Sequence, residues 1–287
     1  MPGTDPGHLA APRRRAYFSA MRIPFLSPRR PRIATVRLQG VIGAAGRGAP
    51  GLSDAVLAPV LTRAFTRGRP AAVALVVNSP GGSPVQSSLI AARIRRLADK
   101  HEVPVHAFVE DVAASGGYWL ASAADQIWAD DSSVLGSIGV ISAGFGFQDM
   151  IARWGIERRV HTAGRSKSTL DPFKPEKPED VERLHAILEP IHEAFKAQVR
   201  ARRGNRLAAD RDLFTGEFWA GQQSVELGLA DGIAHLEPKM RALYGDDARF
   251  LHYGIRQPWF RRIGLSADAV IDAAEERAAY ARFGLGG

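Results

Sequence analysis

Residues 110–141 read EDVAASGGYWLASAADQIWADDSSVLGSIGVI, and the fold turns on how this stretch is parsed. The residues just before it, 105–109 (VHAFV), have the length and composition of a short buried strand. After Ser115-Gly116-Gly117, the run 118–124 reads as a short helix of small residues buried nearly all round. A serine where strand passes into helix sits among unpaired backbone N–H groups, at the positive end of the helix dipole. That setting stabilises an oxyanion, which an acyl-transfer nucleophile needs close by. The two glycines let another backbone or a substrate approach. A helix-capping serine followed by tight packing explains the same three residues, and the stretch alone does not separate the two.

Upstream, residues 33–38 predict a first strand and 40–51 a Gly/Ala loop. Ser53 or Asp54 can cap a helix to about Arg67, ended by Gly68-Arg69-Pro70. The continuous apolar run 72–77 fits a parallel strand buried on both faces. Asn78-Ser79-Pro80-Gly81-Gly82-Ser83-Pro84 is a turn, with Pro84 suited to the first turn of a helix over 85–99. Strand, glycine turn and helix make a βαβ crossover.

Downstream, 127–129, 138–142 and 157–161 read as short strands, 147–154 as a short helix and 162–178 as a polar loop. A long amphipathic helix follows over 179–203, with Val181, Leu184, Ile187, Leu188, Ile191 and Phe195 on one stripe and a kink expected at Pro190. Residues 220–227 predict a helix ended by Gly228, 229–234 a last strand, and Ser266 to Phe283 a final helix. Repeated βα units predict an α/β layered domain with a mainly parallel sheet, plus C-terminal helices. The expected organisation is a poorly ordered arm over 1–32, an α/β domain over 33–245 and a helical extension over 246–287.

The chain has 287 residues, 45% of them apolar, no cysteine and a net charge of +8. Disulfides and cysteine metal sites are excluded. Residues 1–32 hold seven arginines (13, 14, 15, 22, 29, 30, 32) against Asp5, hence +6, so the remainder is close to neutral. A basic arm suits an anionic membrane surface; a solvated leader without a function is the plainer reading. The arm lacks both the ~20-residue apolar run of a spanning helix and the apolar core of a secretory signal. The expectation is a cytoplasmic chain, soluble or peripheral at a membrane. None of the eight histidines falls between 107 and 160, and His185 and His192 read as helix-surface residues. No zinc or phosphate-loop motif is present, so neither metal, cofactor nor nucleic acid is expected.

Four segments occur in order: VVNSPGGS (76–83), AASGGY (113–118), GSIGVI (136–141) and HTAGRSKSTLDPF (161–173). Over roughly 32–236 this set resembles the signal peptide peptidase A/SohB group of serine peptidases, family S49, which has the Clp protease/crotonase fold. The resemblance implies a Ser–Lys dyad, with Ser115 as nucleophile and Lys167 as general base. It implies an oxyanion hole from the N–H groups of Gly82 and Gly116, and Ser137 as the hydroxyl that hydrogen-bonds the lysine. Short members of the family assemble as rings in which a neighbour can supply the lysine. The membrane anchor usual in the family is not recognised here.

The chemistry makes its own demand. A free lysine, with a pKa near ~10.4, is protonated at neutral pH, and a useful base needs roughly 7–8. Burial away from carboxylates produces such a shift, and Asp171 would oppose it if it faced Lys167. Read singly, Lys167 fits a solvated loop, Gly82 a turn needing positive φ and Ser137 plain loop. The function implied is hydrolysis of peptides, signal-peptide remnants or unfolded segments, through an acyl-enzyme. A crotonase-type acyl-CoA enzyme and a catalytically silent membrane scaffold are the alternatives.

Overall fold

The computed structural model of the chain describes residues 30–43, 51–164, 166–254, 274 and 276–285, all but Arg30 within the unit Pro31–Gly287. The arm expected over 1–32 lies outside the described residues up to residue 29, and Arg32 already belongs to the first strand.

In chain order the elements are β1 (Arg32–Gln39), α1 (Asp54–Thr66), β2 (Ala72–Ser79), α2 (Pro84–His101), β3 (Val105–Ala114), α3 (Gly116–Ala121), β4 (Gln126–Ala129) and β5 (Val134–Gly136). There follow α4 (Gln148–Arg153), α5 (Pro178–Arg203), β6 (Phe218–Ala220), α6 (Gly221–Glu226), β7 (Gly232–Ile233), α7 (Leu236–Tyr244) and β8 (Arg249–Tyr253). The sheet order is β6-β5-β3-β2-β1-β8, with β4 beside β3 and β7 beside β4. Every pairing is parallel except β5 with β6.

The helices form because their apolar residues recur on one face. Leu57, Val60, Leu61, Ala64 and Phe65 are buried along α1, and Ile90, Ala91, Ile94 and Ala98 along α2. Each large side chain so buried contributes about 1.5–3 kcal/mol. Both helices pack with Val36, Leu38, Leu75, Val77, α3 and Phe195 of α5 in the main core. The opposite face carries a smaller core of Ile33, Ala74, Phe108, Trp128 and Met240. All eight residues of β2 are buried, as a parallel strand covered on both faces requires.

β3 runs past the predicted end at Val109 to Ala114 and divides its pairing. His106–Val109 pairs with β4, whereas Val112–Ala114 pairs with β5. This division places Ser115 beside the loop that follows β5.

Four expectations are corrected. Residues 138–142 are not a strand; the strand is β5, four residues earlier, and Ser137 at φ 52 turns the chain away from the sheet. Residues 157–161 are irregular and pair with no strand among the described residues. The segment from 246 is not helical throughout, because Arg249–Tyr253 adds a parallel edge strand to β1. Helical residues do occur at 276–281, while the predicted start at Ser266 lies outside the described residues. Finally, α7 occupies residues from which no element was expected.

Candidate active site

Two turns at the C-terminal ends of adjacent strands form the site. β2 passes into Pro80-Gly81-Gly82, and β3 passes through Ser115 into α3. The strands remain paired as far as Ser79 and Ala113, so the turns lie side by side. They touch: a Cβ placed on Gly81 would lie 2.8 Å from Ser115 Cβ and 2.9 Å from the nitrogen of Gly116. Gly82 sits at φ +140, and a Cβ there would lie 2.0 Å from the carbonyl oxygen of Ile42. Only glycine fits that position.

Ser115 has φ 52 and ψ −122, a region that costs a serine about 1–3 kcal/mol. Hydrogen bonds hold it there. Its N–H donates to the Gly136 carbonyl at 2.8 Å, and its carbonyl accepts from Trp119 at 3.0 Å. A capping serine takes extended dihedrals and bonds a backbone N–H of the first turn. Ser115 does neither, since its side chain makes no capping bond. The tertiary structure thus rejects the capping explanation and leaves a half-buried, unengaged hydroxyl.

Ser137 follows β5 and donates its N–H to the Glu217 carbonyl at 2.6 Å. Gly82, Ser115, Gly116 and Ser137 line one cavity of about 550 Å³. Its walls are largely apolar. Trp119 and Phe195 stack at 4.6 Å, and Phe218 meets Phe283 edge-on at 5.2 Å.

Lys167 is not among the residues lining this cavity. It is exposed, in a turn where its N–H donates to the Gly164 carbonyl. The fold therefore brings four of the five expected residues together and leaves out the fifth. Asp171 is engaged elsewhere. The Phe173 N–H, with Arg158 and Ser168, holds its carboxyl below the usual range despite partial desolvation.

His192 was expected on the helix surface. It is half-buried, with Nε2 3.1 Å from the carbonyl oxygen of Ile138. It ties α5 to the loop behind Ser137. Its position three residues before Phe195, on the same side of the helix, was the signal available in the sequence.

The segment after Ser137 exposes large apolar groups: Ile141 is 73% exposed, Phe145 80% and Trp154 78%. No residue of α4 is buried. Among the described residues, no group of three or more His, Asp or Glu side chains is placed to hold a metal ion, and no helix is long and apolar enough to cross a membrane.

Comparison with known proteins adds a second line of argument. The Na(+)/H(+) antiporter NhaA of Brucella abortus is 45% identical over 88% of this chain, but the match takes in 37% of that protein. The putative signal peptide peptidase SppA of Enterococcus faecium is 29% identical over 60% of the chain and 49% of its own length. The probable protease SohB of Haemophilus influenzae is 34% identical over 56% of the chain and 45% of its own length. The chain thus spans between a third and a half of these relatives, and the antiporter name is not transferred from so partial a match. The sequence pattern of peptidase family S49 matches residues 98–244, which include Ser115, Ser137 and Lys167 but not Gly82. That match covers just over half of the chain, and the chain belongs to peptidase family S49.

Proposed function

We propose that this chain is a serine peptidase that cleaves apolar peptide segments through an acyl-enzyme. One observation carries the reading: Ser115 is held at a strained, positive φ with its hydroxyl free, in the cavity that Gly82 and Gly116 also line. In the proposed reaction the Ser115 Oγ attacks the scissile carbonyl carbon and its proton passes to Lys167 Nζ. The oxyanion is met by the N–H groups of Gly82 and Gly116. The carbon–nitrogen bond breaks as the lysine returns that proton to the departing amine. Water, giving a proton to the same lysine, then attacks the ester carbon, and the bond to Oγ breaks as the lysine passes that proton to Ser115, releasing the acid and restoring the serine. Ser137 hydrogen-bonds the lysine and orients it.

The proposal places the lysine in a sister subunit of a ring. A lysine base must be desolvated, and Lys167 is exposed in the single chain. The exposed Ile141, Phe145 and Trp154 precede it and offer an apolar surface for the neighbour. The apolar walls of the cavity support signal-peptide remnants or unfolded segments as substrates. The arginines of residues 1–32 support reversible attachment to anionic membrane.

A fluorophosphonate probe tests the nucleophile. Peptide mapping is expected to find the label on Ser115, and none in Ser115→Ala. Turnover of acyl-CoA thioesters by an unlabelled chain would overturn the reading in favour of crotonase chemistry.

A further inference from the structure

The family pattern ends at residue 244, yet two residues beyond it, Arg282 and Phe283, line the cavity beside Ser115. The helical residues 276–281 lead into them. Gly284, at φ 76, closes that helix. Its N–H donates to the Ala281 carbonyl at 3.0 Å, and the Leu285 N–H donates to the Tyr280 carbonyl at 3.3 Å. This pair of bonds is a glycine C-cap, and it fixes the turn that holds Arg282 and Phe283. Two side chains dock the turn on the site. The Tyr280 hydroxyl donates to the Asn78 carbonyl at 2.8 Å, just ahead of the Pro80-Gly81-Gly82 turn. Phe283 meets Phe218 edge-on across the cavity wall.

Arg282 brings charge to a largely apolar wall. Among the described residues lining the cavity, it is the one charged side chain. It is exposed, and no acid among the described residues pairs with it. Its guanidinium lies 6.0 Å from the ring of Phe283, at the outer limit of a cation–π contact. An arginine in the last turn of a helix also suits the helix dipole, but that role leaves its donors free. Apolar walls weaken screening by solvent. A lone guanidinium in such a cleft favours a carboxylate, which it can take through two parallel hydrogen bonds.

We infer that Arg282 binds a carboxylate of the peptide and so selects which peptides the site takes, an inference that rests on the peptidase reading of the cavity. The carboxylate is the free end of the peptide or an Asp or Glu side chain, since both present the same two oxygens. The substrate class that results is an apolar segment carrying one acidic group.

The test uses the full chain and acetyl-Leu-Ala-Leu-Ala-Leu in three forms: the free acid, the amide, and the amide with glutamate for either alanine. A carboxylate form is expected to exceed the plain amide in kcat/KM by about three- to tenfold, mainly through KM. Preference for the free acid identifies the peptide end as the source, and preference for a glutamate form a side chain. Arg282→Gln should bring the ratio towards one, Arg282→Glu should take it below one, and Arg282→Lys should keep it above one. An arginine that served only the helix would change all forms alike. Affinities of the same peptides for the Ser115→Ala chain give these ratios without turnover. A chain that binds with the expected preference but cleaves nothing would therefore count against the peptidase reading and for the role of Arg282. Equal handling of all forms, a preference that Arg282→Gln leaves intact, or no binding of any form at millimolar peptide would each overturn the inference.

Discussion

The Ser115 N–H donates to the Gly136 carbonyl across 2.8 Å, making the turn at Ser115 and the loop that opens with Ser137 one backbone unit. The bond extends the β3–β5 ladder by one step beyond the Ala114–Gly136 pair. Geometry at Ser115 therefore depends on backbone from both strands, and disturbance of either neighbouring turn should reach the hydroxyl.

Gly82→Ala is predicted to abolish fluorophosphonate labelling of Ser115 while the chain stays folded. The new Cβ would meet the Ile42 carbonyl at 2.0 Å, at a φ of +140, so the loop must move. Loss of one oxyanion donor costs about 100- to 1000-fold in turnover. Labelling at the normal rate would remove Gly82 from the site.

Ser115→Ala and Lys167→Ala should each lower peptide hydrolysis by several orders of magnitude, without the losses adding. If the lysine comes from a neighbour, mixing the two inactive chains restores part of the activity. A Lys167→Ala subunit then offers its serine to the lysine of a Ser115→Ala subunit. A mixture as inactive as its parts, under conditions where subunits exchange, would exclude the shared dyad.

Phe145→Asp combined with Trp154→Asp should convert the assembly to monomers in light scattering and lower hydrolysis with it. Both side chains are about four-fifths exposed in the single chain, so the substitutions leave its core untouched. An active monomer of the unaltered chain would contradict the proposed ring.

Asp231 sits against Arg203, whose side chain is 1% exposed, at 2.8 Å. Burial raises its carboxyl, but Arg203, the Ile127 N–H and Arg206 together overcome this and hold it below the ordinary value. With the folded pKa below the unfolded one, the stabilisation is complete above the unfolded value near ~3.9. It is lost as pH falls through the folded value. Asp231→Asn, by stranding a buried guanidinium, should cost roughly 3–5 kcal/mol at neutral pH and flatten the acid limb of the Tm–pH curve. Equal Tm for both proteins at pH 7 would refute the account.

The arm is tested by vesicle sedimentation, comparing the full chain with one starting at Arg32. Binding to anionic vesicles that falls with salt is expected only of the full chain. Equal binding by both would exclude residues 1–31.

The sequence by itself determined the elements whose residues carry their own signal. The unbroken apolar run of β2 announces a doubly covered parallel strand, and the period of α1 and α2 announces helices on one face. The family resemblance carried by the ordered motifs implied that Gly82, Ser115, Gly116 and Ser137 belong together, and those four line one cavity. The tertiary structure decided what depends on partners distant in the chain. Residues 138–142 have a strand's composition, yet β3 pairs with Val134–Gly136 instead, and a run without a neighbouring strand forms no ladder. β8 is a strand because β1 offers an open edge more than two hundred residues earlier in the chain. Ser115 makes no cap because Gly136 and Trp119 fix its backbone at positive φ. Lys167 stands apart from the cavity for the same kind of reason: a loop lysine's position is set by what packs against its loop, and in one chain its side chain remains exposed to solvent.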